Sequence, residues 1–364
     1  MLIALSDRHE FIRAEEACTT GYFSCPGCKK KVILKKGQVK IPHFAHLKKE
    51  GCASFSEGET EEHLKGKLDL YNWLKSLKMP VQLEPYLSEL QQRPDILTII
   101  DGVQIAIEFQ CSPISIETIK KRTEGYVSQG YKVVWIVGQK IKIKDSLTAT
   151  QKAYIGEYKG NYYFLHYNFN LKKLFVYSEF KTNDKRTVYH KISVEMYELL
   201  PKKGVNPLQK SRKQLESFSN MQNKMKKLRL MSIQKQNQSR EFFSLMYKNH
   251  DTLQSIPLIL FESVEDEWMI QTFPYQWKYE FLIWVEQQSK KRVLTLKIIK
   301  RLMDDWQKNQ KIVLYTMPNI PAASLYNPLF QFIDYLVYSQ VLVRVGENKW
   351  KYLAKAERTK PLNV

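Results

Sequence analysis

Two acidic residues, Asp95 and Glu108, have the types and spacing that metal-dependent chemistry requires. Each belongs to an apolar run, and an Asp-Gly dipeptide typical of a β-hairpin turn separates the two runs. A hairpin would carry one carboxylate on each strand near a shared end, with Gln110 on the same face as Glu108. Such a pair can hold Mg²⁺ or Mn²⁺ against a phosphate oxygen and activate a water molecule. The alternative, for any isolated pair of acids, is two ordinary polar residues on the wet face of a sheet.

A second group of reactive side chains lies on the helix that is predicted to precede the hairpin. Apolar residues at spacings of three and four predict this helix over residues 56 to 78, with Ser56 as its cap. Glu59, His63 and Lys67 recur every fourth residue, so they share one helical face, with Glu62 beside them. This pattern indicates a polar site, although the acids could serve only to stabilise the positive end of the helix dipole.

The elements around the hairpin follow a definite order. A strand is predicted at residues 81 to 86, a second helix from Ser115 to Gln129 and a further strand from Lys132 to Val137. The order is therefore helix, three strands, helix, strand. In the second helix Arg122 and Tyr126 are one turn apart, which suits a phosphate contact, and an arginine on a solvated face fits the spacing equally well.

The first sixty residues have the layout of a small zinc ribbon. A Cys-Pro-Gly-Cys knuckle is followed by a predicted hairpin and then by two histidines and a cysteine. Two ligand sets for a structural Zn²⁺ are open, and the second is favoured because Cys52 otherwise has no role in a short polar segment. They are Cys25, Cys28, His43 and His46, or Cys25, Cys28, His46 and Cys52. Free thiols and surface histidines are the alternative.

The composition points to a polyanionic partner. The chain has 364 residues, enough for two or three domains, and is 43% hydrophobic and 12% aromatic, which indicates a globular protein. Its formal net charge of +20 favours nucleic acid first and an anionic membrane second. Four of the five cysteines lie within the first 52 residues, which suits metal binding in a reducing compartment. With no signal peptide or membrane-spanning stretch in the sequence, we expect a cytoplasmic protein without a membrane partner.

The order of elements, with Pro94-Asp95 and Glu108-Phe109-Gln110, resembles the PD-(D/E)XK nuclease superfamily, in which most members have lysine where this chain has Gln110. The motifs between residues 25 and 131 are more similar still to the bacterial competence protein CoiA family. They are Cys25-Pro26-Gly27-Cys28, His43-Phe44-Ala45-His46, Glu62-His63 with Lys67, Pro94-Asp95, Glu108-Phe109-Gln110-Cys111-Ser112-Pro113, Arg122-Thr123 and Gly130-Tyr131.

The resemblance implies a protein that acts on DNA during natural transformation and promotes recombination after uptake, with a nuclease-like central part. It implies that Asp95 and Glu108 are metal-binding carboxylates, and that the carbonyl of the residue after Glu108 completes the metal shell. Glu62 or Glu59 would add a further acid from the first helix, with His63 beside it.

The glutamine at position 110 is a departure from the superfamily pattern. Its implied role is to orient the attacking water or the scissile phosphate, but an amide carries no charge to stabilise the transition state. Lys67, Arg122 or a second metal ion would compensate, or the site would be slow or inactive.

The second half of the chain contains a predicted β-meander at residues 154 to 180 and a strongly basic stretch at residues 202 to 240. The basic stretch has eleven Lys or Arg residues and one acid, Glu216, so we expect an exposed helix or arm that contacts phosphates without reading bases. The expected DNA-binding residues, besides Arg122 and Tyr126, are Lys210, Arg212, Lys213, Lys226, Lys227 and Arg229.

The C-terminal part is predicted to be helical at residues 281 to 288, 295 to 306 and 330 to 339, with a closing hairpin at residues 341 to 353. Three helices and a hairpin resemble a winged-helix module, and a plain helical cap is the alternative.

We therefore predict an α+β multidomain protein. Its parts are a zinc-ribbon-like module at 1–56, a PD-(D/E)XK nuclease-like α/β core at 57–180, a basic linker at 181–240 and a mostly helical region at 241–364. The first functional hypothesis is a Mg²⁺- or Mn²⁺-dependent nuclease acting on single-stranded or branched DNA, together with recombination or competence proteins. The second is a non-catalytic DNA-binding mediator with a degenerate nuclease core.

Overall fold

A computed structural model describes residues 1–38, 40–47, 59–183, 186–195, 218–234 and 237–359. These residues form eight α-helices and three β-sheets, so the predicted mixture of helices and sheets is confirmed. None of the eight helices has both the length and the apolar character that crossing a bilayer requires. The chain forms two compact units, the first built mainly on Met1–Glu179 and the second mainly on Lys210–Tyr315 and Pro321–Val364. The domain boundaries given above stay a prediction.

The N-terminal module is a five-stranded sheet of short antiparallel strands in the order β2-β1-β3-β4-β5. Its strands are β1 (Ile3–Leu5), β2 (Phe11–Arg13), β3 (Phe23–Ser24), β4 (Lys31–Lys35) and β5 (His43–His46). The predicted hairpin after the Cys-Pro-Gly-Cys knuckle is present as β4 and β5, which pair Val32 with His46. A small core that includes Phe23, Val32 and Phe44 lies against this sheet.

The central part has the predicted order of helix, three strands, helix and strand. The elements are α1 (Glu61–Ser76), β6 (Val81–Leu83), β7 (Ile96–Ile100), β8 (Val103–Gln110), α2 (Ile116–Ser128) and β9 (Lys132–Val137). The strands β6, β7 and β8 are antiparallel, whereas β9 is parallel to β8 and is joined to it by the α2 crossover. This arrangement brings the start of β7 and the end of β8 to one region of the sheet.

Local sequence signals explain the turns and helix ends. At the β7–β8 turn Asp101 and Gly102 have φ values of 51° and 75°, as a type I′ hairpin requires. The helix α1 begins later than predicted, because Thr60 rather than Ser56 is its cap: the hydroxyl of Thr60 accepts a hydrogen bond from the amide of His63 at 3.2 Å. Ser56 lies outside the described residues.

The predicted β-meander is confirmed, and it extends the central sheet because β11 pairs in parallel with β9. Its elements follow a one-turn helix and are α3 (Ala149–Lys152), β10 (Gly156–Tyr158), β11 (Asn161–Asn168), β12 (Lys173–Asn183) and β13 (Arg186–Glu195). Among its aromatic residues, Phe164, Tyr167 and Tyr177 are buried, so they belong to the core rather than to an exposed base-stacking surface.

The second unit is mostly helical around one large core. Its elements are α4 (Phe218–Ile233), α5 (Asn237–Lys248), α6 (Pro274–Glu286), β14 (Val293–Thr295), α7 (Leu296–Lys308), α8 (Asn327–Tyr338), β15 (Leu342–Gly346) and β16 (Lys349–Tyr352). Both α6 and α8 begin earlier than predicted, because Pro274 and Pro328 occupy the first helical turn, where a missing N–H group does no harm. The three strands form a sheet in the order β14-β16-β15.

Candidate active site

Asp95 lies immediately before β7, and its carboxylate faces the helix α1. Its Oδ2 accepts a hydrogen bond from the backbone amide of Phe109 at 2.9 Å and lies 3.2 Å from Nε2 of His63. Its Oδ1 lies 3.1 Å from Nζ of Lys67. The hairpin register, which pairs Ile96 with Ile107, places Asp95 beside the end of β8. Three different elements therefore position this one carboxylate.

Gly66 allows α1 to approach the sheet closely at this point. A Cβ atom at Gly66 would lie 2.3 Å from a ring carbon of Phe109, which is far inside the contact distance of two carbon atoms. Phe109 is itself buried and packs against His63 and Tyr167. The glycine thus brings the polar face of α1 within hydrogen-bonding distance of Asp95.

Lys67 is the centre of a buried charge cluster. Its side chain is fully buried, and its Nζ lies 2.5 Å from a carboxylate oxygen of Glu59 and 2.5 Å from one of Glu84. Burial alone would lower the pKa of Lys67, but the carboxylates of Asp95, Glu59 and Glu84 outweigh burial and raise it. Arg93 adds a second cation, with its Nη1 3.4 Å from Glu84.

The acids of the cluster are held in their charged forms. Burial would raise the pKa of Asp95, but Lys67 and His63, together with the hydrogen bond from Phe109, hold it well below its usual range. The pKa of Glu59 is also well below its usual value, because Lys67 opposes the effect of burial. These carboxylates are therefore ionised at neutral pH and are available as metal ligands.

The N-terminal module contacts the same cluster through its first strand. The backbone amides of Leu2 and Ile3 donate hydrogen bonds to Oε2 of Glu84 at 2.7 Å and 3.2 Å. The amino group of Met1 donates to the carbonyl of Phe44 and forms an ion pair with Glu59. The charge cluster thus joins the first sheet to α1 and to β6.

Glu59, His63 and Asp95 could hold a divalent cation. One ligand atom of each lies within 4.8 Å of the others. Two carboxylate oxygens and an imidazole nitrogen suit Mn²⁺, which accepts nitrogen ligands more readily than Mg²⁺. The donor set therefore fits a divalent metal, with one constraint: a cation at this position would have to share Glu59 and Asp95 with the ammonium of Lys67.

Glu108 does not belong to this group. Its Oε1 accepts hydrogen bonds from Nη2 of Arg122 at 2.5 Å and from the hydroxyl of Tyr126 at 2.6 Å, both from α2. Burial raises the pKa of Glu108 and Arg122 opposes this effect, while Asp95 adds to it. Within the described residues, the structure thus does not bring Asp95 and Glu108 together around one cation. Arg122 and Tyr126, which were predicted to contact phosphate, bind Glu108 instead.

The other predicted catalytic residues have local partners. The side-chain amide of Gln110 donates to the carbonyl of Ser112 at 2.7 Å. Glu62 lies on α1, but its Oε1 accepts from the backbone amide of Gln139 at 2.7 Å and so supports the loop after β9. The acid that joins Asp95 is therefore Glu59 rather than Glu62, and it lies just before α1 instead of on the helix as predicted.

Three of the predicted zinc ligands come together in the N-terminal module. The ligand atoms of Cys25, Cys28 and His46 lie within 4.8 Å of one another, with 3.9 Å between Sγ of Cys28 and Nε2 of His46. His43 is not in this group: its Nδ1 donates to the carbonyl of Ile41 at 2.9 Å. Residues three apart in a strand project to opposite faces, which separates His43 from His46. Cys52 lies outside the described residues.

The predicted basic arm is only partly described. Lys226, Lys227 and Arg229 lie on α4, where the two lysines are exposed. Lys210, Arg212 and Lys213 lie outside the described residues.

Glu84 is the residue of the cluster that the sequence did not single out. It is 1% exposed and has a φ of 49°, an unusual backbone conformation for an acid. Its position at the end of an apolar strand gave one signal, since a lone acid beside buried residues needs a charged partner.

Comparisons with known proteins cover nearly the whole chain. The family model described as "Competence protein CoiA, nuclease-like domain" matches residues 59–201. The models for the N-terminal and C-terminal domains of the same protein match residues 7–55 and 215–363. The chain belongs to the competence protein CoiA family. The site around Asp95 lies within the region that matches the nuclease-like domain.

One curated relative, competence protein CoiA of Bacillus subtilis (strain 168), is 41% identical over 116 residues. The alignment spans about a third of each protein, namely 32% of this chain and 31% of the relative. The comparison with solved structures gave no significant match.

Replacing Lys67 should strongly destabilise the first unit. In Lys67→Met the buried carboxylates of Glu59, Glu84 and Asp95 lose their shared cation, and we expect a loss of about 3–5 kcal/mol in the free energy of unfolding at pH 7. Because the pKa values of these acids are lowered in the folded state, the difference from wild type should shrink as the pH falls below about 4. Urea unfolding at pH 7 and pH 3.5 measures both effects.

The matched control is Lys65→Met on the same helix, where the lysine forms a partly exposed pair with Glu61. This variant should lose at most about 0.5 kcal/mol. Equal stability losses in the two variants would contradict the assigned role of Lys67.

Proposed function

We propose that this chain is a DNA-processing protein of natural transformation with a divalent-metal-dependent deoxyribonuclease site at Asp95. The observation that carries this proposal is the group of Glu59, His63 and Asp95, which is partly open to solvent at His63 and lies within the nuclease-like region. These residues would hold Mn²⁺ or Mg²⁺, which when bound supplies an activated water and neutralises charge on the scissile phosphate.

We propose that Lys67 supplies the positive charge that the lysine at the position of Gln110 provides in most superfamily members. Its ammonium lies 3.1 Å from Asp95, which is where a positive charge could stabilise a phosphate that approaches the carboxylate. Gln110 would then position water or phosphate by hydrogen bonding alone. We assign the charge to Lys67 and the orientation to Gln110.

Glu108 would contribute only if it were released from α2. Its carboxylate forms an ion pair with Arg122 and accepts a hydrogen bond from Tyr126. A phosphate would replace it on the arginine, because guanidinium groups bind phosphate and carboxylate in the same way. Arg122 is about one-third exposed, so it can be reached from solvent. In this proposal DNA binding at Arg122 frees Glu108 for the metal.

The ion pair between Glu108 and Arg122 also favours a second function, namely DNA binding without cleavage. If Glu108 stays on Arg122, and Lys67 stays on Asp95, the core binds DNA without cutting it. The chain would then act as a recombination mediator that uses a degenerate nuclease core as a platform.

We further propose a structural zinc site, a DNA partner and a cytoplasmic place of action. Cys25, Cys28 and His46 would hold a structural Zn²⁺, with Cys52 as the fourth ligand that a closed tetrahedral site requires. The partner would be single-stranded or branched DNA together with competence or recombination proteins. The protein would act in the cytoplasm, where incoming DNA is recombined.

The cleavage assay separates the two functions. With Mn²⁺ or Mg²⁺ the wild-type protein should cut end-labelled single-stranded, duplex or branched DNA. Asp95→Asn, which keeps the shape but removes the charge, should reduce the single-turnover rate about a hundredfold or more while DNA affinity is retained. Glu108→Gln should have a similar effect if Glu108 joins the metal.

Asp69→Asn is the matched control, because Asp69 lies on the same helix but pairs with Tyr167 and Lys172. It should cut at close to the wild-type rate. Identical absence of cutting by wild type and Asp95→Asn on every substrate and metal would reject the nuclease and leave the mediator.

Metal analysis tests the N-terminal site independently. Protein purified without chelator should contain about one zinc per chain by mass spectrometry. Cys25→Ser should lose the zinc and the stability of the first sheet, whereas Cys18→Ser should keep both, because Cys18 is an exposed cysteine of the same module. Wild-type protein without zinc, or Cys25→Ser with a full zinc content, would disprove the site.

A further inference from the structure

The second unit contains a complete winged-helix topology. The chain runs through α6, β14, α7, α8, β15 and β16, and the first of these strands pairs with the last, in the order β14-β16-β15. The buried residues Leu294, Trp350 and Leu342 fasten the sheet to the helical core. The hairpin of β15 and β16 is the wing.

The wing has a basic outer face. Trp350 is buried, so its neighbours Lys349 and Lys351 project to the other side of β16. Lys351 lies between Val293 and Val343 in the sheet. The turn of the wing is tied to the start of α7, because the carbonyl of Asn348 accepts from the amide of Leu296 at 3.1 Å.

Further cations surround the wing. A run of three precedes β14 and one lies in the first turn of α7. Another, Arg344, lies on β15, where it pairs with Trp350 and therefore projects to the opposite face from Lys349 and Lys351. Residues 290–297 and 342–351 together carry seven cations and a single acid, Glu347. The seven are Lys290, Lys291, Arg292, Lys297, Arg344, Lys349 and Lys351. All are exposed or half-exposed, and across the part of the chain that the structure describes none of them lies within 4.0 Å of a carboxylate. A surface of this kind attracts a polyanion.

The helix α8 is not equipped to read bases. Most of its apolar residues are buried or half-buried, and two of its polar side chains have partners inside the unit. The side-chain amide of Gln331 donates to Asp266, and the hydroxyl of Tyr335 donates to the carbonyl of Ser263. Asp334 is exposed and would repel phosphate. The charge therefore favours contact through the wing, and contact of this type positions DNA without specifying sequence.

We propose that this wing binds the phosphate backbone of duplex DNA without sequence preference, through Lys349 and Lys351 on its outer face and Arg344 at its edge. A two-stranded ribbon has the dimensions that the major groove admits, and its cations would face the flanking phosphates. This DNA site is additional to the proposed nuclease site and does not depend on cleavage, so either can fail without the other.

The test measures the affinity of the chain for DNA by fluorescence anisotropy of labelled duplexes with unrelated sequences. The protein carries Asp95→Asn, and no chelator is present. Arg344→Glu, Lys349→Glu and Lys351→Glu combined should raise the Kd about tenfold or more and reduce the slope of log Kd against log salt by about three. The neutral variant with glutamine at the same positions should shift both in the same direction by less.

The control combines Lys248→Glu, Lys308→Glu and Lys311→Glu, which change the net charge equally at exposed positions away from the wing. Lys308 ends α7, about 18 Å along the helix from its start. We expect this control to retain most of the affinity, and thermal melting should show all variants folded. Equal Kd values for the wing and control variants would overturn the proposal. It would also be overturned if the wing variant lost binding to anionic vesicles while its affinity for the duplex stayed unchanged.

Discussion

The buried ammonium of Lys67 is the constraint on which the first unit depends. Three carboxylates from different parts of the chain converge on it: Glu59 before α1, Glu84 after β6 and Asp95 before β7. Taking these charges out of water costs several kcal/mol for each ion, and only their mutual attraction with further hydrogen bonds offsets that cost. Because Leu2 and Ile3 donate to Glu84, the arrangement of the N-terminal sheet depends on the same cation.

The two predicted catalytic carboxylates are each neutralised by a different helix. Asp95 faces α1 and its lysine, whereas Glu108 faces α2 and its arginine. Phosphate binds cations of both types, but Lys67 is fully buried whereas Arg122 is about one-third exposed. In the proposed function a DNA phosphate on Arg122 would free Glu108 for a cation, which would tie metal binding to DNA binding.

Local sequence patterns predicted most of the strands, turns and crossovers around the site. The Asp101-Gly102 turn, the crossover through α2 and the hairpin after the cysteine knuckle all follow from local rules of twist, periodicity and turn chemistry. The position of β9 was predicted to the residue. Helix starts were less predictable: Thr60 rather than Ser56 caps α1, and α6 begins at Pro274, before the predicted start at residue 281.

The contacts within the site depend on the three-dimensional arrangement, which spacing alone does not give. His63 and Lys67 share a face of α1, as their spacing predicted, whereas Glu59 joins them from just before the helix cap. Spacing does not indicate that Glu84 completes the cluster from a different element. The pairing of Glu108 with Arg122 likewise depends on how α2 crosses the sheet. His43 is a different case, because the alternation of strand side chains was available and would have separated it from His46.

The central claim is that the carboxylates around Lys67 form a metal site, and locating the metal tests it most directly. Crystals grown with Mn²⁺ and a duplex with non-cleavable linkages should show an anomalous Mn²⁺ peak bound to Asp95 in the wild type and no peak at this position in Asp95→Asn. Absence of the peak in the wild type at saturating Mn²⁺, with Lys67 still bound to Asp95, would contradict the account.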